Sequence, residues 1–177
     1  MARPGAVSNV LAERAGTSAR PASYRRERER MDTGYDDRVA RNTAVMEKYF
    51  DLLFTKNMDQ LLELIADDIE WRVIPTGDVF TNKGEFERLA RNHWAASPDR
   101  EKKLVNLFAS DEYACLEYIT GGTLTGRADF QTISFEPTGR HYEFQCCFVF
   151  HLRDGKIDRV HEYFDLDTAR RVTGQKN

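Results

Sequence analysis

The chain has 177 residues, a formal net charge of −3 and 41% hydrophobic residues, enough for one globular domain and some tail. That near-neutral balance leaves no electrostatic footprint for nucleic acid, and no apolar run approaches the roughly 20 residues that a membrane-spanning helix requires. Three cysteines, Cys115, Cys146 and Cys147, make no disulfide framework and read as reduced thiols in a cytoplasmic compartment.

Residues 1–37 differ from the rest in composition. Arg, Ala, Ser, Gly and Pro dominate, Phe, Trp and Ile are missing, and SYRRERERMD is a dense run of charge. Such a segment buries too little apolar surface to offset its ordering entropy, so it reads as a disordered or partly helical tail. Its Arg and Ser content is similar to a transit peptide, against which Glu13, Glu27 and Glu29 argue; Met31 is an alternative start. The remainder divides into a domain over 38–172 and a short tail over 173–177.

From about Arg38 to Thr55, Met46, Tyr49, Phe50 and Leu53 recur at three- and four-residue spacing and predict a helix with one buried stripe. Asn57, with Gln60 three residues on, predicts the capped start of a second helix whose apolar face is Met58, Leu61, Leu62 and Ile65, ending at Asp67-Asp68. Ile69, Trp71 and Val73 alternate with Glu70 and Arg72 as a strand does, and Pro75 to Asp78 break it. A third helix is predicted over Lys83–Ala96, where Phe86, Leu89, Ala90, His93 and Trp94 share a face and Ser97-Pro98-Asp99 stops the turn.

Two strands follow, Lys103 to Ala109 and Glu112 to about Thr125, with Gly121-Gly122 suggesting a bulge or bend. In the second strand either Cys115, Glu117 and Ile119 or Leu116, Tyr118 and Thr120 could face inward. A loop from Arg127 to Gly139 leads to RHYEFQCCFVFHLRDGKIDRVHEYFD, two antiparallel strands joined at Arg153-Asp154-Gly155-Lys156, because Asp-Gly between alternating runs tolerates the positive φ of a tight hairpin. Phe144, Cys146, Phe148, Phe150 and Leu152 form one face of the first strand. In the second, Glu162 lies between Val160 and Phe164, a carboxylate aimed at an apolar interior. A short helix, Leu166 to Arg171, closes the domain.

This order is α+β, with helices lying over a curved sheet and an apolar cavity between them. Glu162 is the first candidate for chemistry, since burial raises a carboxyl pKa toward neutrality; the alternative is a structural pairing with an arginine or hydroxyl. His93 is either a second proton-handling group or a satisfied core histidine, and Tyr49 either a polar handle in the pocket or a core phenol. Trp71, Phe86, Trp94, Phe144, Cys146, Phe148 and Phe164 would line the same space. The spacings of His93, His141, His151 and His161 match no metal motif, and GGTLTG lacks the lysine and following helix of a phosphate loop, so neither metal nor cofactor is expected.

MEKYFDLLFTKNMDQLLELIADDIEW, the PTGR of Pro137 to Arg140, and DGKIDRVHEYFDL resemble the SnoaL-like branch of the nuclear transport factor 2-like superfamily over roughly 38–172. The resemblance implies a cone-shaped α+β barrel, a curved antiparallel sheet covered by three N-terminal helices, and relatives among polyketide cyclases, ketosteroid isomerases and limonene-epoxide hydrolases. It places Tyr49 where ketosteroid isomerases hold their oxyanion phenol, but the general-base Asp of that group would fall near Val73 and its oxyanion Asp near Cys146. Glu162 falls where limonene-epoxide hydrolase holds a water-positioning carboxylate, while that enzyme's Arg and Asp would fall near Ile119 and Gly121, and its Tyr and Asn at Trp71 and Val73. Together, residues and resemblance lead us to expect a small hydrophobic oxygenated ligand, acid/base chemistry without a cofactor, and a homodimer through the mixed outer face of the sheet, where His141, Gln145, Val149, His151, His161 and Tyr163 lie. The rival expectation is a non-catalytic binding or dimerisation module.

Overall fold

A computed structural model describes residues 22–175; the tail reading for positions before Ala22, and positions 176 and 177, lie outside it. The chain divides into two units, 1–33 and 34–177. The first helix, α1 (Ala22–Thr55), begins earlier than its apolar stripe, because the Ala, Arg, Glu and Met of its N-terminal part are good helix formers and carry no proline. Met46, Tyr49 and Phe50 form the buried stripe expected, with Leu53 packed against the core.

Asn57 caps α2 (Met58–Glu63) by accepting from the Gln60 amide at 3.3 Å. The helix is shorter than predicted: the chain becomes strand at Ile65, so Ile65 belongs to β1 (Ile65–Val73), and Asp67-Asp68 lie within that strand as its exposed residues. Burial of Ile65, Ile69, Trp71 and Val73, each stabilising by about 1.5–3 kcal/mol, sets the register of β1 more firmly than helix periodicity does. After the turn, β2 (Asp78–Phe80) pairs back onto β1, an element too short to carry a sequence signal. The third helix, α3 (Lys83–Ala96), has the predicted bounds, with Asn82 capping it through the Glu85 amide.

Then come β3 (Glu101–Ala109), β4 (Tyr113–Thr123), β5 (Ala128–Asp129), β6 (Ser134–Phe135), β7 (His141–Arg153), β8 (Lys156–Phe164) and α4 (Leu166–Thr173). Six of the strands form one curved sheet in the order β2-β1-β8-β7-β4-β3. The sheet is mixed rather than wholly antiparallel, because β1 and β8 run parallel, and it stays open, with β2 and β3 as edges, rather than closing into a barrel. The segment read as a loop contains β5 and β6, which pair only with each other.

The hairpin at Asp154-Gly155 has φ of 53° and 76° at its two central residues, the positive pair that a two-residue turn of this hand demands. In β4 the inner face is Leu116, Tyr118 and Thr120, all buried, which resolves the pleat. The Gly121-Gly122 pair makes no bulge: β4 pairs with β7 in continuous register from Tyr113 to Thr123, and the irregularity lies instead in β3, between Leu104 and Asn106, opposite Tyr118 and Glu117. Gly122 serves a close approach. At φ 151° it faces the turn after α3, where a Cβ would come within 3.2 Å of the Arg100 Cα.

Candidate functional site

Two adjoining lobes occupy the space between the sheet and its helices. The larger, about 70 Å³, is lined by Ala96, Ser97, Leu124, Phe130, Phe135, Tyr142, Phe144, Cys146 and Phe164 among others. The smaller, about 40 Å³, is lined by Tyr49, Leu53, Trp71, Phe86, Leu89, Trp94, Tyr118 and Phe148 among others. Three side chains, His93, Arg100 and Glu162, line both. They form the neck between the lobes and its main concentration of polar groups.

Glu162 reaches this position by strand alternation on β8, where its neighbours Val73 on β1 and Phe148 on β7 leave it only partly exposed. The Trp71 Nε1–H donates to Glu162 Oε2 at 2.9 Å. Desolvation raises the carboxyl pKa to about 7; the Trp71 hydrogen bond and the charge of Arg100 only partly oppose it. One carboxyl oxygen is thus fixed by the indole, and the group as a whole is balanced between acid and carboxylate near neutral pH.

Tyr49 Oη and His93 Nε2 are both buried without a hydrogen-bond partner among the described residues. Burial first, then the charge of Glu162, raises the Tyr49 pKa, so the phenol stays protonated and presents an O–H donor. Burial lowers His93 to about 3, keeping the imidazole neutral. The backbone of Asp129 hydrogen-bonds the ring, which leaves the proton on Nδ1 and a lone pair on Nε2. Phe130 packs edge-on against the ring at 4.7 Å between centroids. Donor and acceptor therefore face the smaller lobe from α1 and α3.

Arg100 is the member that sequence reasoning missed. It follows Ser97-Pro98-Asp99 and precedes Glu101, Lys102 and Lys103, so it reads as one more solvated charge at a turn. The turn is instead pinned against β4. Asp99 accepts from the Thr123 amide at 2.8 Å and the Thr123 hydroxyl at 2.7 Å, Arg100 N–H donates to Ser97 O at 3.2 Å, and Tyr142 donates to Ser97 Oγ at 3.0 Å. Those contacts turn Arg100 inward, where its Nε donates to Thr120 Oγ1 at 3.1 Å and its guanidinium lies 5.7 Å from the centre of the Phe54 ring. Tyr142, on the inner face of β7 beside Phe144, was likewise not singled out by its sequence.

The other sequence candidates divide between the lobes: Trp71, Phe86, Trp94 and Phe148 on the smaller, Phe144, Cys146 and Phe164 on the larger. Tyr118 and Phe148 stack at 5.5 Å with 9° between their planes, and Trp71 lies against both Phe86 and Phe148. Burial pushes the Cys146 thiol up, with the charge of Glu162 adding to it, so it is an unreactive part of the wall. Among the described residues no group of three or more His, Cys, Asp and Glu is placed to hold a metal ion.

The profile of the SnoaL-like domain family matches residues 46–160. No curated protein matches the chain. Among solved structures, a candidate SnoaL-like polyketide cyclase from Jannaschia superposes with a TM-score of 0.66 at 13% identity, covering 78% of this chain and 95% of that one. A candidate ketosteroid isomerase from Kribbella flavida gives 0.57 at 17%, covering 72% and 79%. An LEH-like epoxide hydrolase of M. tuberculosis gives 0.60 at 16%, covering 76% and 90%. At these identities the superpositions bear on the fold alone.

Proposed function

The chain belongs to the SnoaL-like domain family, and from that premise we propose that it is a cofactor-independent acid/base enzyme acting on a compact, oxygenated, largely apolar molecule. The observation that carries the reading is the place of Glu162: a carboxyl at the neck of the cavity, oriented by Trp71, whose desolvation pushes its pKa up to about 7. A base with that affinity for protons transfers them at physiological pH in both directions, which ordinary carboxylates do poorly.

Ionised Glu162 takes a proton from a carbon next to a substrate carbonyl. The C–H electron pair becomes the enolate double bond, and the carbonyl π pair moves to oxygen. Tyr49 O–H is the donor that would face that oxygen, while neutral His93 Nε2 accepts from a substrate hydroxyl. Where a C=C bond lies β,γ to that carbonyl the enolate extends over it as a dienolate, and return of the proton from Glu162 to the γ-carbon shifts the double bond into conjugation and completes an isomerisation. If the enolate carbon instead bonds to a second carbonyl, that oxygen takes the proton and a ring closes. Hydration is a third outcome: Glu162 takes a proton from a water whose oxygen adds to the β-carbon of an enone, the displaced π pair forms the enolate, and the α-carbon takes the proton back from Glu162. Lobes of about 70 and 40 Å³ favour a single ring or short chain over a fused polycycle, since pockets for drug-sized ligands run to roughly 300 Å³ or more.

The test is deuterium exchange at the α-carbon of an enolisable aryl ketone in D₂O. The wild-type protein should accelerate exchange, and Glu162→Gln should lose about 10²–10⁴-fold. Retained exchange in that variant, folded by circular dichroism, would sink the proposal.

A second reading, a binding module that acts as a dimer, draws on the outer face of the sheet. Phe108, Tyr113, Val149 and Tyr163 are exposed there, and the Glu117 carboxylate between them is occupied by Asn106 and Gln145. A face with few free charges and scattered aromatics suits a second copy of itself.

A further inference from the structure

We propose that the ligand of this cavity carries a carboxylate and that Arg100 is the residue that receives it. The inference rests on the ligand-binding reading above but concerns a different group and a different step, recognition rather than proton transfer.

Arg100 contributes five N–H donors, of which the described residues take one: Nε to Thr120 Oγ1 at 3.1 Å. No carboxylate lies within ion-pairing distance of it among the described residues, although charged side chains elsewhere on the domain are paired, as Arg153 with Asp68 and Lys102 with Asp51. The guanidinium lines both lobes, backed by the Phe54 ring. An interior cation is costly unless something compensates it. The one carboxylate whose charge Arg100 feels is Glu162, and no ion pair joins the two among the described residues. The planar fork of two terminal amino groups fits the two oxygens of a carboxylate better than any single hydroxyl.

The fixed geometry around Arg100 supports the same conclusion. Asp99 with Thr123, Ser97 with Tyr142, and the missing side chain of Gly122 hold the turn so that the guanidinium is aimed at the cavity. A surface arginine needs none of this. The groups facing it are Tyr49 from α1, His93 from α3, Tyr118 from β4, Tyr142 and Cys146 from β7, and Glu162 from β8. Among Tyr49, Tyr118, Cys146, His93 and Glu162 only Glu162 changes charge between pH 5 and 9, since burial keeps the Tyr49 and Tyr118 phenols and the thiol protonated and the imidazole neutral. A bound carboxylate therefore competes with ionised Glu162 for the same cation, and binding should weaken as pH rises through 7.

The experiment is calorimetric titration of the full chain with three matched probes: phenylacetate, phenylacetamide and 2-phenylethanol. At about pH 6 the acid should bind at least about tenfold more tightly than the amide, a difference of about 1.4 kcal/mol, and the advantage should shrink several-fold by about pH 8.5. Arg100→Gln should bring acid and amide to the same affinity while leaving the alcohol within about twofold, and Glu162→Gln should keep the preference for acid and remove its pH dependence. Equal binding of acid and amide to the wild-type protein, or no binding of the acid, overturns the proposal without any variant having to fold. So does an acid preference that survives Arg100→Gln. Loss of exchange chemistry with the acid preference intact would count against the acid/base reading and not against this one; a Glu162 that titrates near 7 beside an Arg100 with no preference for acids would do the reverse.

Discussion

At Glu162, two residues of opposite behaviour meet in one cavity, and their effects on stability have opposite signs. The folded-state pKa of Glu162 is about 7, above its ordinary 4.5, so the native state binds the proton more tightly and stability falls as pH rises between those values. His93 is held at about 3, below its ordinary 6.5, so the unfolded chain binds that proton more tightly and stability falls as pH drops through that interval. Between about 4.5 and 6.5 the two slopes offset each other. Above 6.5 only the Glu162 penalty remains, of order 3 kcal/mol at full ionisation. Glu162→Gln should therefore raise the melting temperature relative to wild type at pH 8.5 and change it far less at pH 5. His93→Gln should expose the Glu162 slope, losing stability steadily from pH 5 to 7. Urea unfolding of both variants across that range checks the pair, and an unchanged difference between wild type and Glu162→Gln at the two pH values would contradict it.

The elements explain why some of these residues were legible in the sequence and others were not. Glu162 could be found because strand alternation is a rule of period two, and an acidic residue on the apolar phase stands out. His93 and Tyr49 could be found because helix periodicity names the buried face. Arg100 follows no periodicity: its direction is decided by long-range contacts from Thr123, Tyr142 and Gly122, which no local pattern carries. The Gly121-Gly122 pair was visible but its meaning was not, since a glycine that permits a close approach looks the same in sequence as one that makes a bulge. Likewise the parallel pairing of β1 with β8 joins residues about ninety positions apart, beyond what strand signals can specify. A prediction belongs to this level. Gly122→Ala adds a Cβ against the Arg100 backbone at a φ of 151°, and should cost about 1–3 kcal/mol in stability. It should also weaken binding of phenylacetate more than of 2-phenylethanol, because it displaces the turn that aims the guanidinium. Equal effects on the two probes would mean that the glycine serves packing alone.

For the whole molecule, the open sheet divides labour between its faces. The inner face, with its aromatics and the three polar groups at the neck, is the surface on which chemistry can be placed. The outer face keeps Phe108, Val149 and Tyr163 in solvent, more apolar surface than a lone sheet benefits from showing. We predict a homodimer through that face, measured as twice the chain mass by size exclusion with light scattering, and converted to monomer by Val149→Lys together with Phe108→Glu. A monomeric wild-type protein would count against it. Among the described residues no helix is long and apolar enough to cross a membrane. Membership of the SnoaL-like family fixes the scaffold on which these faces lie, while the reaction depends on the few groups that this chain places at the neck. The acid/base reading of that neck turns on the charge of one carboxyl. Its pH titration in the full-length protein, followed by the carboxyl-carbon resonance with Glu162→Gln identifying the signal, should give an apparent pKa of about 7. A value at or below the ordinary 4.5 would describe a solvated or ion-paired side chain and contradict the acid/base function.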